Sequence, residues 1–247
     1  MTDGLLLLHA FPLDASMWEP QLSSLGTDVR VVAPDFPGFG ASTVPLPVLH
    51  MDAAADTAAD AAAGAGLSRV VVCGLSMGGY AAFAFWRRYR ERVIGFILAN
   101  TRAGADDDAG KERRRALAAR LKAEGNQFLV DAPPPLLSEH ASPELRQLVA
   151  STIARQPAEA IASASLGMAE RPDSTGDLAG IDAPTLVITS SGDALIPPEA
   201  TTPMAEQIPG ARLAVIEGAG HLSNLEAPSE FNRLLRDHLA RCGVLEH

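Results

Sequence analysis

The sequence predicts an α/β fold: a mostly parallel, six-stranded sheet with helices on both faces and a helical cap. Three observations carry this. Short runs rich in leucine or β-branched residues alternate with helix-period segments, the pattern of parallel strands joined by crossover helices. One run, Val70-Val71-Val72-Cys73, leads into Gly74-Leu75-Ser76-Met77-Gly78 and then a helical pattern. The alternation stops at Thr101, only helical segments are legible as far as Leu178, and then it resumes.

Taken in order, Gly4–Leu8 reads as a buried strand, closed by Pro12, which cannot donate to a ladder. Leu13–Leu25 holds a short helix with Asp14 or Ser16 as cap and Trp18 on its apolar side. Val29–Ala33 is a second strand, and Pro34–Ser42 is a turn-rich loop. Met51–Ala65 is an alanine-rich helix stopped by Gly64 and Gly66. Arg69–Cys73, Val93–Ala99, Thr185–Thr189 and Arg212–Ile216 are the remaining strands. Met77–Tyr89, Pro198–Gln207 and Ala227–Arg241 are helices of the core. Within the interruption, Asp108–Glu124 is a charged amphipathic helix. Pro143–Gln156 and Pro157–Glu170 are helices with proline at their starts. The expected division is a core of residues 1–100 and 179–244, an inserted cap of 101–178, and a tag remnant at 245–247.

Bulk properties narrow the function. The chain has 247 residues, a formal net charge of -10 and only 5% aromatics. Nucleic acid and anionic membrane surfaces are therefore disfavoured as partners. No stretch approaches a membrane span or a signal-peptide core. Two cysteines, with no zinc spacing and no disulfide framework, point to a reducing, cytoplasmic compartment and to no metal or cofactor. Homo-oligomerisation is left open.

The chemistry centres on Ser76. A serine hydroxyl is a poor nucleophile until a base takes its proton and the backbone holds it clear. A turn flanked by Gly74 and Gly78 holds it clear, because strand and helix can approach closely there. The N–H of Met77 then points toward an oxygen bound above the serine. Asp193 follows the fifth strand and His221 follows the sixth, so all three side chains fall at carboxyl ends of strands. An imidazole ordinarily titrates near pH 6.5 and can accept the serine proton, while a carboxylate fixes its tautomer.

With these residues in view, the chain resembles the serine hydrolases of the α/β-hydrolase superfamily over nearly its whole length. His9-Ala10-Phe11-Pro12 is similar to the family's His-Gly-x-Pro oxyanion loop, which implies that the Phe11 N–H pairs with that of Met77. Asp35–Ser42 resembles the Asp-x-x-Gly-x-Gly-x-Ser loop, and His221–Pro228 the His-x₄-Glu-x-Pro ending. Small esterases and 3-oxoadipate enol-lactonase-type hydrolases are the most similar branches. Two departures stand out: Ala10 replaces the loop glycine, with a strain cost of ~1 kcal/mol if φ is positive there, and the usual antiparallel N-terminal hairpin is missing.

The expected activity is cofactor-free hydrolysis of a small carboxylic ester or lactone through an acyl-enzyme. An acyltransferase or perhydrolase-like enzyme would use the same triad, and a ligand-binding protein on this fold is the third reading. Phe128, Leu166 and Met168 are candidate pocket residues, alongside Phe11 and Met77. His9 is expected to be structural, and His50, His140 and His238 to lie at the surface. Arg113-Arg114-Arg115 reads as a solvated face, or more sharply as a patch steering acidic substrates. Glu226 is a weaker rival to Asp193 for His221.

Overall fold

A computed structural model describes residues 2–245. The strands are β1 (Asp3–Leu8), β2 (Val31–Val32), β3 (Arg69–Leu75), β4 (Val93–Ala99), β5 (Thr185–Ser190) and β6 (Arg212–Ile216). They form one six-stranded sheet in the order β2-β1-β3-β4-β5-β6, and every pairing is parallel. The second strand is shorter than its sequence suggests: only Val31 and Val32 pair, with Leu5 and Leu6, at the sheet edge. Leu5–Leu8, Val70–Cys73 and Phe96–Ala99 are fully buried, as continuous apolar runs in a sheet covered on both faces should be.

The core helices are α1 (Glu19–Leu25), α2 (Met51–Gly64) and α3 (Met77–Tyr89). Alanines at 54, 55, 58, 59 and 62 let α2 lie close to α3. Asp14 caps a 3-10 turn ahead of α1, accepting from the Ser16 N–H at 3.0 Å. Between β4 and β5 come α4 (Asp108–Glu124), α5 (Gln127–Asp131), α6 (Pro143–Arg155) and α7 (Ala158–Ala169). Polar bonds tie this excursion to the core. Gln156 Nε2 donates to Asp14 Oδ2 at 2.6 Å while Gln156 Oε1 accepts from the Gly40 N–H at 3.0 Å. Then follow α8 (Pro198–Gln207), α9 (Ser223–Glu226) and α10 (Pro228–Arg241). The five-residue α5 and four-residue α9 are too short for periodicity to reveal. Among the described residues no helix is long and apolar enough to cross a membrane. Glu246 and His247 of the expected tag remnant lie outside the described residues, whereas Leu245 packs against the core.

One histidine departs from expectation. His50 and His140 are exposed, but His238 is 1% exposed. It sits on the α10 stripe with Phe231, Leu234, Leu235 and Leu239, seven residues after Phe231 and so on the same helical face. Burial pushes its imidazole down to about 4, with Arg212 and Arg241 adding to the effect against the Pro184 carbonyl it binds at 3.2 Å. The unfolded chain therefore binds more protons between pH 6.5 and about 4, and stability falls as pH falls through that window. Acidification from pH 7 to 4.5 should cost the wild type about 2–3 kcal/mol more than His238→Gln. Parallel Tm-against-pH curves for the two proteins would contradict this.

Candidate active site

The strand order places the site. The chain runs outward from β1 to β2, then returns to β3 on the other side of β1, so a crevice opens beyond the carboxyl ends of β1 and β3. Ser76 stands there, between the last residue of β3 and the first of α3, with φ 57° and ψ −116°. A non-glycine residue in that region is strained and must be held. The Ser76 N–H donates to Ala99 O at 3.0 Å, and its carbonyl accepts from Gly79 N–H at 2.9 Å and Thr101 Oγ1 at 2.8 Å. The close approach that the turn needs is visible at its glycines. A Cβ on Gly78 would lie 2.0 Å from Leu8 O, and one on Gly74 would lie 2.2 Å from Gly78 O.

Asp193 and His221 meet beside this turn. His221 Nδ1 lies 2.8 Å from Asp193 Oδ2, with both side chains fully buried. A carboxylate accepts only, so Nδ1 carries the proton and Nε2 is left as the basic nitrogen. That Nε2 is buried and has no hydrogen-bond partner. Ser76 Oγ is therefore not bonded to it in this structure; contacts of this kind commonly tighten when substrate binds. Asp193 Oδ1 accepts from the N–H groups of Leu195 at 2.9 Å and Ile196 at 2.8 Å. Burial alone would raise the Asp193 carboxyl, but the His221 bond and charge, the Ile196 N–H and Asn100 outweigh it and hold the carboxyl below its ordinary value.

Asn100, which the sequence reading did not single out, organises the pair. It follows β4 with φ 44°, and its side chain is buried. Its Nδ2 donates to Asp193 Oδ2 at 3.0 Å and Ser190 Oγ at 2.6 Å, and its Oδ1 accepts from Ser223 Oγ at 2.6 Å. Ser190 Oγ in turn donates to Gly220 O at 2.5 Å, next to His221. The one sequence signal was an asparagine at a strand's carboxyl end. Glu226 does not reach for His221. It accepts from Gly220 N–H at 2.8 Å and Ser138 Oγ at 2.5 Å, joining the His221 loop to the segment before α6.

The N–H groups of Phe11 and Met77 make no hydrogen bond to the described residues. Ala10 is not strained as expected: its φ is not positive, its N–H donates to Met17 Sδ at 3.1 Å, and its carbonyl accepts from Leu13 N–H at 2.9 Å. The loop thus closes around a Cβ without a left-handed residue. His9 is fully buried, accepts from Phe36 N–H through Nε2 at 3.0 Å, and faces Ala10 O through Nδ1 at 3.1 Å. Burial lowers its pKa, so it is a neutral brace for the loop.

Ser76 and Phe11 line a cavity of about 410 Å³ under α4 and α7. Met168 lines it, as expected, but Phe128 and Leu166 do not. Leu166 lies two residues from Met168 on α7, about 200° away around the helix, so both cannot face one cavity. Phe128 instead lies beneath the Arg120 guanidinium, 3.8 Å from its ring centroid, and the adjacent Leu129 faces the cavity. The arginine run splits: Arg113 and Arg114 reach the cavity, while Arg115 pairs with Glu112 at 3.7 Å outside it. A larger surface depression of about 950 Å³, beside α10, contains none of these groups.

A family model described as the alpha/beta hydrolase family matches residues 5–234. The pimeloyl-[acyl-carrier protein] methyl ester esterase of Xanthomonas campestris pv. campestris is 32% identical over 231 residues, 88% of this chain and 87% of that one. The 3-oxoadipate enol-lactonase 1 of Acinetobacter baylyi is 28% identical over 232 residues, covering 92% and 85%. Among solved structures, a thermophilic esterase from Thermogutta terrifontis, in a malate-bound form, is 42% identical with a TM-score of 0.94, covering 98% of this chain and 90% of that one.

Proposed function

The chain belongs to the alpha/beta hydrolase family, and on that premise we propose that it is a cofactor-free serine hydrolase of small carboxylic esters or lactones. The single observation that carries this reading is the buried His221–Asp193 pair beside a serine held at φ 57°. The curated and structural relatives named above, esterases and an enol-lactonase, agree with it in bond type.

In the proposed reaction, His221 Nε2 takes the Ser76 proton as Oγ attacks the carbonyl carbon. The carbonyl π electrons move to the oxygen, which the Phe11 and Met77 N–H groups stabilise. The tetrahedral centre collapses, the C–O bond to the alcohol breaks, and His221 returns the proton to the leaving oxygen. Water then repeats the sequence on the acyl-enzyme, releasing the acid and restoring Ser76. Asp193 stays ionised and stabilises the imidazolium between the steps. Each oxyanion donor lowers the barrier by about 3 kcal/mol in sites of this type. The helices of 101–178 serve as the cap that shapes the acyl cavity.

Incubation with a fluorophosphonate should add one adduct, and peptide mass mapping should place it on Ser76. Turnover of a panel of p-nitrophenyl esters and lactones should fall in proportion to the labelled fraction. Labelling elsewhere, or turnover that survives full labelling, would exclude the mechanism.

A further inference from the structure

We propose that the cavity at Ser76 contains an anion subsite, and that the preferred substrate is an ester or lactone whose acid portion carries a second carboxylate. This rests on the reading of Ser76 as the nucleophile.

The observation is an excess of guanidinium groups that the fold itself does not neutralise. Arg102, Arg113 and Arg114 line the cavity, and Asp106 is the one acidic side chain among its lining residues. Asp106 accepts from Arg102 and Arg114, and from Arg171 at 2.8 and 3.0 Å. Burial would raise its carboxyl, but bonds and charges from Arg171 and Arg114 hold it well below the usual carboxylate range. It is a permanent anion shared by three cations, one of which, Arg171, also feels the charge of Asp173, so one positive charge remains. Arg113, which is exposed, adds a second, since it makes no ion pair among the described residues. Nε of Arg102 and Nε of Arg171 are buried without a partner. Asp107, the nearest other carboxylate in the chain, is turned back to the Gly110 N–H at 2.7 Å as the cap of α4.

A structural tie between α4, α7 and the β4 exit would need one arginine per carboxylate. Gathering cations in a partly buried cavity costs desolvation and mutual repulsion, and an incoming anion offsets both. The cluster stands out in a chain whose net charge is -10. Apart from Ser76 and this cluster the cavity wall is largely apolar, with Leu117, Leu129, Leu136 and Met168 among its lining residues. An electrophilic carbonyl at the serine, a short methylene chain along these walls and a carboxylate at the arginines match that arrangement. A guanidinium's planar fork suits the two oxygens of a carboxylate.

The test compares kcat/KM for monomethyl esters of four- to six-carbon dicarboxylic acids with that for the matching dimethyl esters. Wild type should prefer the monoanion roughly tenfold or more, and added salt should erode the preference. Arg113→Gln should reduce it to within about threefold of parity. Arg115→Gln, which removes the same charge outside the cavity, should keep it. Equal rates for charged and neutral esters, or equal effects of the two arginine variants, would overturn the subsite. Calorimetric binding of glutarate to Ser76→Ala separates the two readings. If glutarate binds, weakened about tenfold by adding Arg113→Gln, while the wild type hydrolyses no ester, the hydrolase reading fails and the subsite stands. Ester turnover without glutarate binding removes the subsite alone.

Discussion

Ser76→Ala is expected to lower kcat for p-nitrophenyl acetate by on the order of 10⁴–10⁶-fold, because removing the nucleophile disables the whole relay. Its Tm should stay close to that of wild type. Alanine at φ 57° keeps the Cβ and therefore the same backbone strain. Ser76→Gly should be equally inactive yet more stable than Ser76→Ala by about 1 kcal/mol, since glycine accepts that conformation freely. Steady-state kinetics with active-site titration, and calorimetric melting of the three proteins, measure both halves. Substantial turnover in Ser76→Ala would remove the serine from the chemistry. Equal stabilities of the alanine and glycine variants would show that the turn is unstrained.

Asp193→Asn should lose about 10⁴-fold in kcat. An amide facing Nδ1 of His221 no longer enforces the tautomer that leaves Nε2 basic. Asn100→Leu tests the same pair more gently. It deletes the 3.0 Å donor to Asp193 and the donor to Ser190 Oγ, and leaves Ser223 Oγ without its acceptor. A lost bond to a charged group is worth about 1.5–3 kcal/mol, which corresponds to a roughly ten- to hundredfold fall in kcat. Asn100 helps hold the Asp193 carboxyl low, so its loss should raise that carboxyl and move the acid limb of the pH–rate profile upward. A merely structural asparagine would lower Tm and leave the profile in place. The two variants combined should cost little more than Asp193→Asn alone, because both act through one carboxylate.

The fold was legible because its signals are long and redundant. Leu5–Leu8 and Val70–Cys73 are continuous apolar runs, and α3, α4, α8 and β6 begin and end where their residues indicate. Ser76, Asp193 and His221 announce themselves through flanking turn residues. What stayed hidden depends on contacts between distant segments. Asn100 acquires its importance from Asp193, 93 residues away. The Ala10 N–H finds its acceptor in Met17 Sδ, seven residues on. Which side of α7 faces the cavity follows from how α4 lies against it, so Met168 and Leu166 could not be told apart. His238 is the exception: it is expected at the surface, yet the helical stripe containing Phe231 and Leu235 turns it inward.

The residues proposed for the relay arrive from β3, β5 and β6, and the brace between them from β4. No excised fragment or half-formed sheet can assemble that set. During refolding from denaturant, helical signal from locally encoded segments such as α2 and α10 can return early, whereas catalysis must wait for the last long-range strand pairing. Recovered turnover would therefore serve as a reporter of global assembly, lagging circular dichroism and coinciding with burial of the sheet.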